Sequence, residues 1–259
     1  MENFMKKIFT TAALAIFCLA LCTASWAEAF KSASIGGATG LITTPNANTG
    51  WEGNNMAIDF AYHYLSAGEN SIPKVSLQLF GKAEVGAAYD MQKEKDSNDL
   101  LVHGKFRFYG SGSSALAIGG NYQMIKIYDS EYTAGQIYLA ATHTGEFFGM
   151  PAETTIVIGK TFGNRNVVDK NNIDFSMGFD LDFLPNFFKG YVHWLTDFAN
   201  YSYSVDPRGA NSWRGVFNTG IRLAILRESR FKWNIDVLFT DVLDSNRDWA
   251  AGSSFGLSF

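Results

Sequence analysis

The chain has 259 residues, of which 18% are charged and 15% aromatic, with a formal net charge of −4. Nothing in that balance offers the basic stripe that a nucleic-acid binder needs. The only two cysteines, Cys18 and Cys22, both lie near the N-terminus.

Lys6 and Lys7 precede an apolar run from Ile8 to Cys22, followed by Ser25-Trp26-Ala27. A positive start, a short apolar core and a small-residue end define a secretory signal peptide over 1–27. Cleavage is expected after Ala27, with Ala29 as the second choice. A lipoprotein would need a small residue before an acylated cysteine, but Leu21 precedes Cys22 and Phe17 precedes Cys18. Removing the signal takes away both cysteines, so disulfides and thiolate metal sites are excluded from the mature chain. It also removes Glu2, Lys6 and Lys7, leaving a slightly more acidic protein.

Beyond the signal no stretch approaches the ~18 consecutive apolar residues of a membrane helix. From Met56 onward the dominant period is instead two. Met56, Ile58, Phe60, Tyr62 and Tyr64 share one face, opposite Ala57, Asp59, Ala61 and His63. Val75, Leu77 and Leu79 continue the pattern, as do Ala83, Val85, Ala87 and Tyr89 opposite Glu84 and Asp90. In IDFSMGFDLDF, Ile173, Phe175, Met177, Phe179, Leu181 and Phe183 alternate with Asp174, Ser176, Gly178, Asp180 and Asp182. No amphipathic helix produces such an alternation. Toward the end, Phe231, Trp233, Ile235, Val237 and Phe239 oppose Lys232, Asn234 and Asp236.

Twelve segments of this kind are expected: 54–65, 73–81, 82–92, 99–109, 115–128, 133–144, 153–163, 171–184, 187–199, 211–226, 229–241 and 249–259. Each is near the ~9–11 residues with which a tilted strand crosses a bilayer. The last ends in Phe255, Leu257 and Phe259 on one face, an aromatic ending that resembles the assembly signal of bacterial outer-membrane barrels. With Phe259 at the periplasmic rim, the outer links become 66–72, 93–98, 129–132, 163–170, 200–211 and 241–248. The periplasmic links become 81–82, 110–114, 145–152, 185–186 and 227–230, and most are the shorter ones, as such barrels prefer. The link 145–152 breaks the rule by its length. A secreted β-sandwich also alternates, but its strands are usually shorter, and lipid tolerates no open sheet edge. The expected fold is therefore all-β: a transmembrane antiparallel barrel of about 12 strands over 54–259, in the bacterial outer membrane. Its partners would be membrane lipid, the barrel-assembly machinery acting on the C-terminal strand, and polysaccharide or other export components.

Residues 28–53 precede the barrel. Gly36, Gly37 and Gly40 permit tight turns, Pro45-Asn46 favours another, and Trp51 could anchor at the membrane interface. The segment is either a plug tucked into the lumen or an entry linker, and the plug is favoured because Leu41 and Ile42 would otherwise be exposed. GLITTPNA, Gly40 to Ala47, resembles the opening of the YjbH family through Gly40, Leu41, Ile42, Pro45 and Ala47, with Gly53 as a later match. That family comprises outer-membrane barrels associated with exopolysaccharide production or export, so the resemblance implies a polysaccharide connection.

Enzymatic chemistry has little support. The histidines His63, His103, His143 and His193 fall on separate strands, with no recognisable nucleophile motif around them. Asp180 and Asp182 share a face without further metal ligands. No catalytic residue, cofactor or metal is expected. The lumen-facing set is instead Asp59, Glu84, Lys105, Arg107, Asp174, Asp180, Asp182, Lys189, Arg214, Arg222, Lys232 and Asp236. A twelve-stranded barrel is roughly 25 Å across its backbone. These charges could either pair and fill it or set a field across a narrow pore. The matching functions are a pore or export-associated barrel for polar solute, or a closed structural barrel. In the closed case the outer loop 200–211, with Tyr201, Tyr203 and Arg208, would bind the partner.

Overall fold

A computed structural model describes residues 31–51, 53, 56–66, 68–93, 97–127, 130–163, 173–200, 215–227, 230–243 and 248–259. Two short strands come first, β1 (Ser32–Ala33) and β2 (Thr39–Gly40). Twelve longer ones follow: β3 (Met56–Leu65), β4 (Asn70–Leu79), β5 (Ala83–Gln92), β6 (Ser97–Ser111), β7 (Ser114–Ile127) and β8 (Ser130–Phe147), then β9 (Met150–Gly163), β10 (Asp174–Asp182), β11 (Val192–Ala199), β12 (Val216–Arg227), β13 (Phe231–Thr240) and β14 (Asp248–Ser258). One helical turn, α1 (Pro185–Phe188), joins β10 to β11.

Strands β3 to β14 form a closed barrel in which each pairs with its neighbours in sequence. Closure comes from β14 lying antiparallel to β3, from Ala250 opposite Leu65 to Ser258 opposite Ala57. Phe259 and Met56 then exchange two backbone hydrogen bonds, at 2.9 and 3.2 Å. Closure leaves no unpaired strand edge, the condition that lipid imposes on a β structure.

The period of two sorts the side chains. Phe60, Tyr62, Val85, Val102, Phe106, Ile118, Ile137, Ile158, Val237 and Phe255 point outward and are exposed, an apolar surface suited to lipid. Their strand neighbours Glu84, His103, Lys105, Thr142, Asp180, Arg222 and Asp236 point inward and are buried. Inward positions on β7 and β8 are small: Ala115, Ala117, Gly119 and Ala140. Tyr138 fills the space over Gly119, where an added Cβ would lie 2.3 Å from its ring.

The architecture matches the expected barrel, with three local corrections. The long link 145–152 is mostly strand: β8 and β9 stay paired to Phe147 and Met150, and Phe148-Gly149 alone turn the chain, both at positive φ. Between β10 and β11 the expected two-residue turn is longer and contains α1, flanked by left-handed Leu184 and Lys189. Apolar Phe187, Phe188 and Tyr191 read as strand in the sequence, but a short apolar run does not distinguish strand from helix. Finally, Leu181 lies on the outward face between Ala152 and Trp194 in register, yet it is wholly buried.

Candidate functional site

Lys31 to Trp51 lies inside the ring of inward-facing side chains, and all but Thr43 of its residues are buried. Its own fold is a tight loop. β1 and β2 pair antiparallel, with Ser32 opposite Gly40. The turn between them needs Gly37 at φ 101°, a region L side chains rarely enter. The chain then doubles back: Leu41 N donates to Thr44 O at 2.9 Å and Asn46 N to Thr39 O at 3.1 Å. Gly40 is obligatory here, because a Cβ would sit 2.2 Å from the Thr44 carbonyl oxygen.

Each remaining residue of the Gly40–Ala47 stretch has a physical part. Leu41 and Ile42, with Ile35, pack on inward Ile72, Ala88, Leu101, Leu195 and Leu238. Fully burying such side chains is worth about 1.5–3 kcal/mol each. Ala47 joins a second cluster with Ala115, Ala117, Tyr138, Ala140 and Val157, where the small wall residues make room for the segment.

Polar wall groups hold the segment by its main chain. Asp197 on β11 accepts the N–H groups of Ile42, Thr43 and Thr44 on one carboxylate oxygen, at 3.1, 2.7 and 2.8 Å. Its other oxygen accepts from Asn218 Nδ2 at 2.7 Å. Glu153 on β9 accepts from Asn46 and Asn48 side-chain amides at 2.9 and 3.2 Å. Thr142 accepts from Ala47 N at 2.8 Å, and Glu84 from Thr39 N at 2.7 Å. Carbonyl groups of the segment face the cations. Lys74 donates to Ser34 O at 2.7 Å, Lys105 to Asn48 O at 2.7 Å, Arg222 to Gly40 O at 3.3 Å, and Lys232 to Gly50 O.

Ten of the twelve positions expected in the lumen lie on the inward face. Glu84, Lys105, Asp174, Asp180, Arg222 and Asp236 are buried on the inward face, while Asp59, Arg107, Asp182 and Lys232 point the same way and are half-buried. Arg222 makes a bidentate pair with Asp236, 3.0 Å for each contact, and Lys105 lies 3.3 Å from Glu84. Asp59 accepts from Trp51 Nε1 at 2.8 Å and from Gln78 at 2.6 Å. Arg107 reaches Asn48 Oδ1 at 3.3 Å.

Two positions are corrected. Lys189 is not in the lumen: it ends α1 in the exposed β10–β11 link, in a left-handed conformation no strand residue has. Trp51 is not an interfacial anchor, since its ring is buried beside Asp59 with the Lys232 ammonium 4.4 Å from the ring centroid. Arg214, with Tyr201, Tyr203 and Arg208 of loop 200–211, lies outside the described residues. At the C-terminus, Phe255 and Phe259 are exposed on the outward face and Leu257 is half-buried there.

Asp197, Glu153, Lys74 and Thr142 were not singled out in the sequence. Alternation does place Lys74 opposite Val75 and Asp197 in step with His193, but their partners lie far away along the chain.

Three histidines are lumen groups beside carboxylates: His193 Nδ1 is 2.7 Å from Asp180, His103 Nε2 is 3.2 Å from Glu84, and His63 Nε2 is 3.6 Å from Asp236. His143 instead faces outward, 3.0 Å from Ser114 Oγ. Among the described residues its Nε2 has no hydrogen-bond partner. No group of three or more potential metal ligands occurs among the described residues.

No family model matches the chain, and no curated protein matches it. Among solved structures it is similar to the KdgM porin, with a TM-score of 0.50 and 11% identity over 78% of this chain and 99% of that one. It is similar also to the NanC porin, with a TM-score of 0.51 and 12% identity over 78% and 98%. A second KdgM structure, described as a complex with disordered oligogalacturonate, gives 0.50 at 10% identity, over 78% of this chain and 99% of that one. At these identities the likeness bears on the fold: a closed twelve-strand transmembrane barrel.

Proposed function

We propose that the protein is an outer-membrane channel for a polar solute of the saccharide class, held closed by its own segment Lys31–Trp51. The observation that carries this is the division of bonds across the lumen. Asp197, Glu153, Lys74 and Thr142 bind the segment itself. When the segment withdraws, those groups face water and solute in a polar passage. Barrel closure itself needs none of these bonds, because the twelve strands pair continuously without the segment.

The saccharide class is supported by the resemblance of Gly40–Ala47 to the exopolysaccharide-associated YjbH family. The barrel fold is shared with a porin described in complex with oligogalacturonate. The second reading, a permanently closed barrel, is favoured by the density of bonds between segment and wall. Liposome swelling separates the two. Proteoliposomes in a series of neutral saccharides should swell faster with Ile42→Ser, which loosens the segment from its apolar pocket, than with the wild type. Equal, protein-free rates for both folded proteins would favour the closed barrel.

A further inference from the structure

We infer that the solute of this channel bears a cationic amine; the inference rests on the gated-channel reading above and concerns the wall that the segment covers. Inward positions on the adjacent strands β9, β10 and β11 carry Glu153, Asp174, Asp180, Asp182 and Asp197. Among the described residues no Lys or Arg faces inward on those three strands; Lys160 is in register with outward Ile137.

The wall groups hydrogen-bonded to this acidic arc are neutral side chains or histidine, while the adjoining strand β12 carries Arg222, in register with His193 and paired with Asp236, and Arg227. Asp174 accepts from Gln136 at 2.8 Å and Thr161 at 2.5 Å, Asp197 from Asn218, and Asp180 lies against His193. The rest of the lumen is different in kind, because there Lys105 stands beside Glu84 and Arg222 beside Asp236. Withdrawing the segment therefore bares a passage with one strongly negative side. Charges on low-dielectric walls focus their field across a narrow lumen and select permeants by sign.

What occupies the arc in the closed state points the same way. The Lys31 ammonium lies 3.9 Å from the Glu153 carboxylate, and both side chains are almost wholly buried. The amides of Asn46 and Asn48 bind the same carboxylate, and three consecutive backbone N–H groups bind Asp197. Lys74 on β4 and Lys105 on β6, away from the arc, and Arg222 on β12 at its edge take carbonyl oxygens of the segment. The segment is thus an internal stand-in for a ligand with a primary amine and donors along one edge and oxygen acceptors along the other. An amino sugar has that arrangement. A uronic acid would bring its carboxylate against the arc.

The test uses the full-length chain with Ile42→Ser, which loosens the segment and leaves every charged wall residue in place. Reversal potentials in planar bilayers across a KCl gradient should give a potassium-to-chloride permeability ratio of about fivefold or more. Adding Glu153→Gln and Asp174→Asn should lower that ratio at least about twofold. Liposomes carrying the same protein should swell faster in glucosamine than in glucuronate. If Ile42→Ser does not fold, spontaneous openings of the wild-type chain give the same reversal potential. Conductance that favours chloride, or a ratio unmoved by the two arc substitutions, overturns the inference and leaves the channel standing. Folded protein without conductance in any form overturns the channel reading and this inference with it.

Discussion

Replacing Asp197 by alanine should release the segment. One carboxylate oxygen serves three successive N–H groups at 2.7 to 3.1 Å, deep in the lumen. A hydrogen bond to a charged group contributes about 1.5–3 kcal/mol net. Three on one atom do not add independently, so a loss of about 3–5 kcal/mol, below the sum of three such bonds, is expected. At about 1.4 kcal/mol per tenfold, the closed-to-open ratio should fall by roughly two to three and a half orders of magnitude. Asp197→Asn should be milder but not neutral. If its oxygen faces the segment, its amide faces Asn218 Nδ2, and that side chain is fixed by the bond from Asp241 N to Asn218 Oδ1 at 3.1 Å. The measurement is single-channel open probability, alongside heat-modifiable migration on a gel to confirm the folded barrel. A folded Asp197→Ala barrel with wild-type open probability would refute the latch.

Phe179→Arg should destabilise the barrel by about 2–4 kcal/mol as a charge on the lipid face, and it also breaks ring contacts to Phe147 and Trp194; Asp180→Asn, which stays beside His193, should cost clearly less in a urea titration. Gly119→Ala should cost about 1–3 kcal/mol by overpacking, because the new methyl would meet the Tyr138 ring, read as a lowered unfolding midpoint. Deleting Phe259 removes both hydrogen bonds that join the chain end to Met56, so the yield of heat-modifiable barrel in membranes should fall. Mass spectrometry of the exported protein should find a chain beginning at Glu28.

Barrel and register were legible because lipid outside and polar groups inside impose a strict period of two, visible in Ile173–Asp182 without any knowledge of pairing. The limits of that signal are equally physical. Around Pro185–Tyr191 the apolar residues are too few to show a period, so the pattern extends β11 back to 187 and takes Lys189 into the lumen with it, whereas the strand begins at Val192. Link 145–152 looked like a loop because Gly145 and Gly149 punctuate it, yet Gly145 stays paired with Ala152 and only Phe148-Gly149 turn. The burial of Leu41 and Ile42 followed from their hydrophobicity. The bond from Ile42 N–H to Asp197 did not, since it joins positions 155 residues apart and depends on the barrel bringing β11 to the loop. Trp51 was misplaced because an aromatic ring next to a membrane strand suits the interface as well as it suits a polar lumen with Asp59 and Lys232.

If Lys31–Trp51 gates the lumen, a reversible lock on the segment should switch conduction off and on. Asn218 Nδ2 donates to Thr43 Oγ1 at 3.3 Å, so Thr43→Cys with Asn218→Cys, in a chain whose Cys18 and Cys22 are replaced by alanine, sets two thiols beside each other that a short bifunctional methanethiosulfonate reagent can join through reducible disulfides. Planar-bilayer currents from the same protein should be silent when cross-linked and show discrete openings after reduction. Identical currents in both states, or none after reduction, would show that the segment is not a gate.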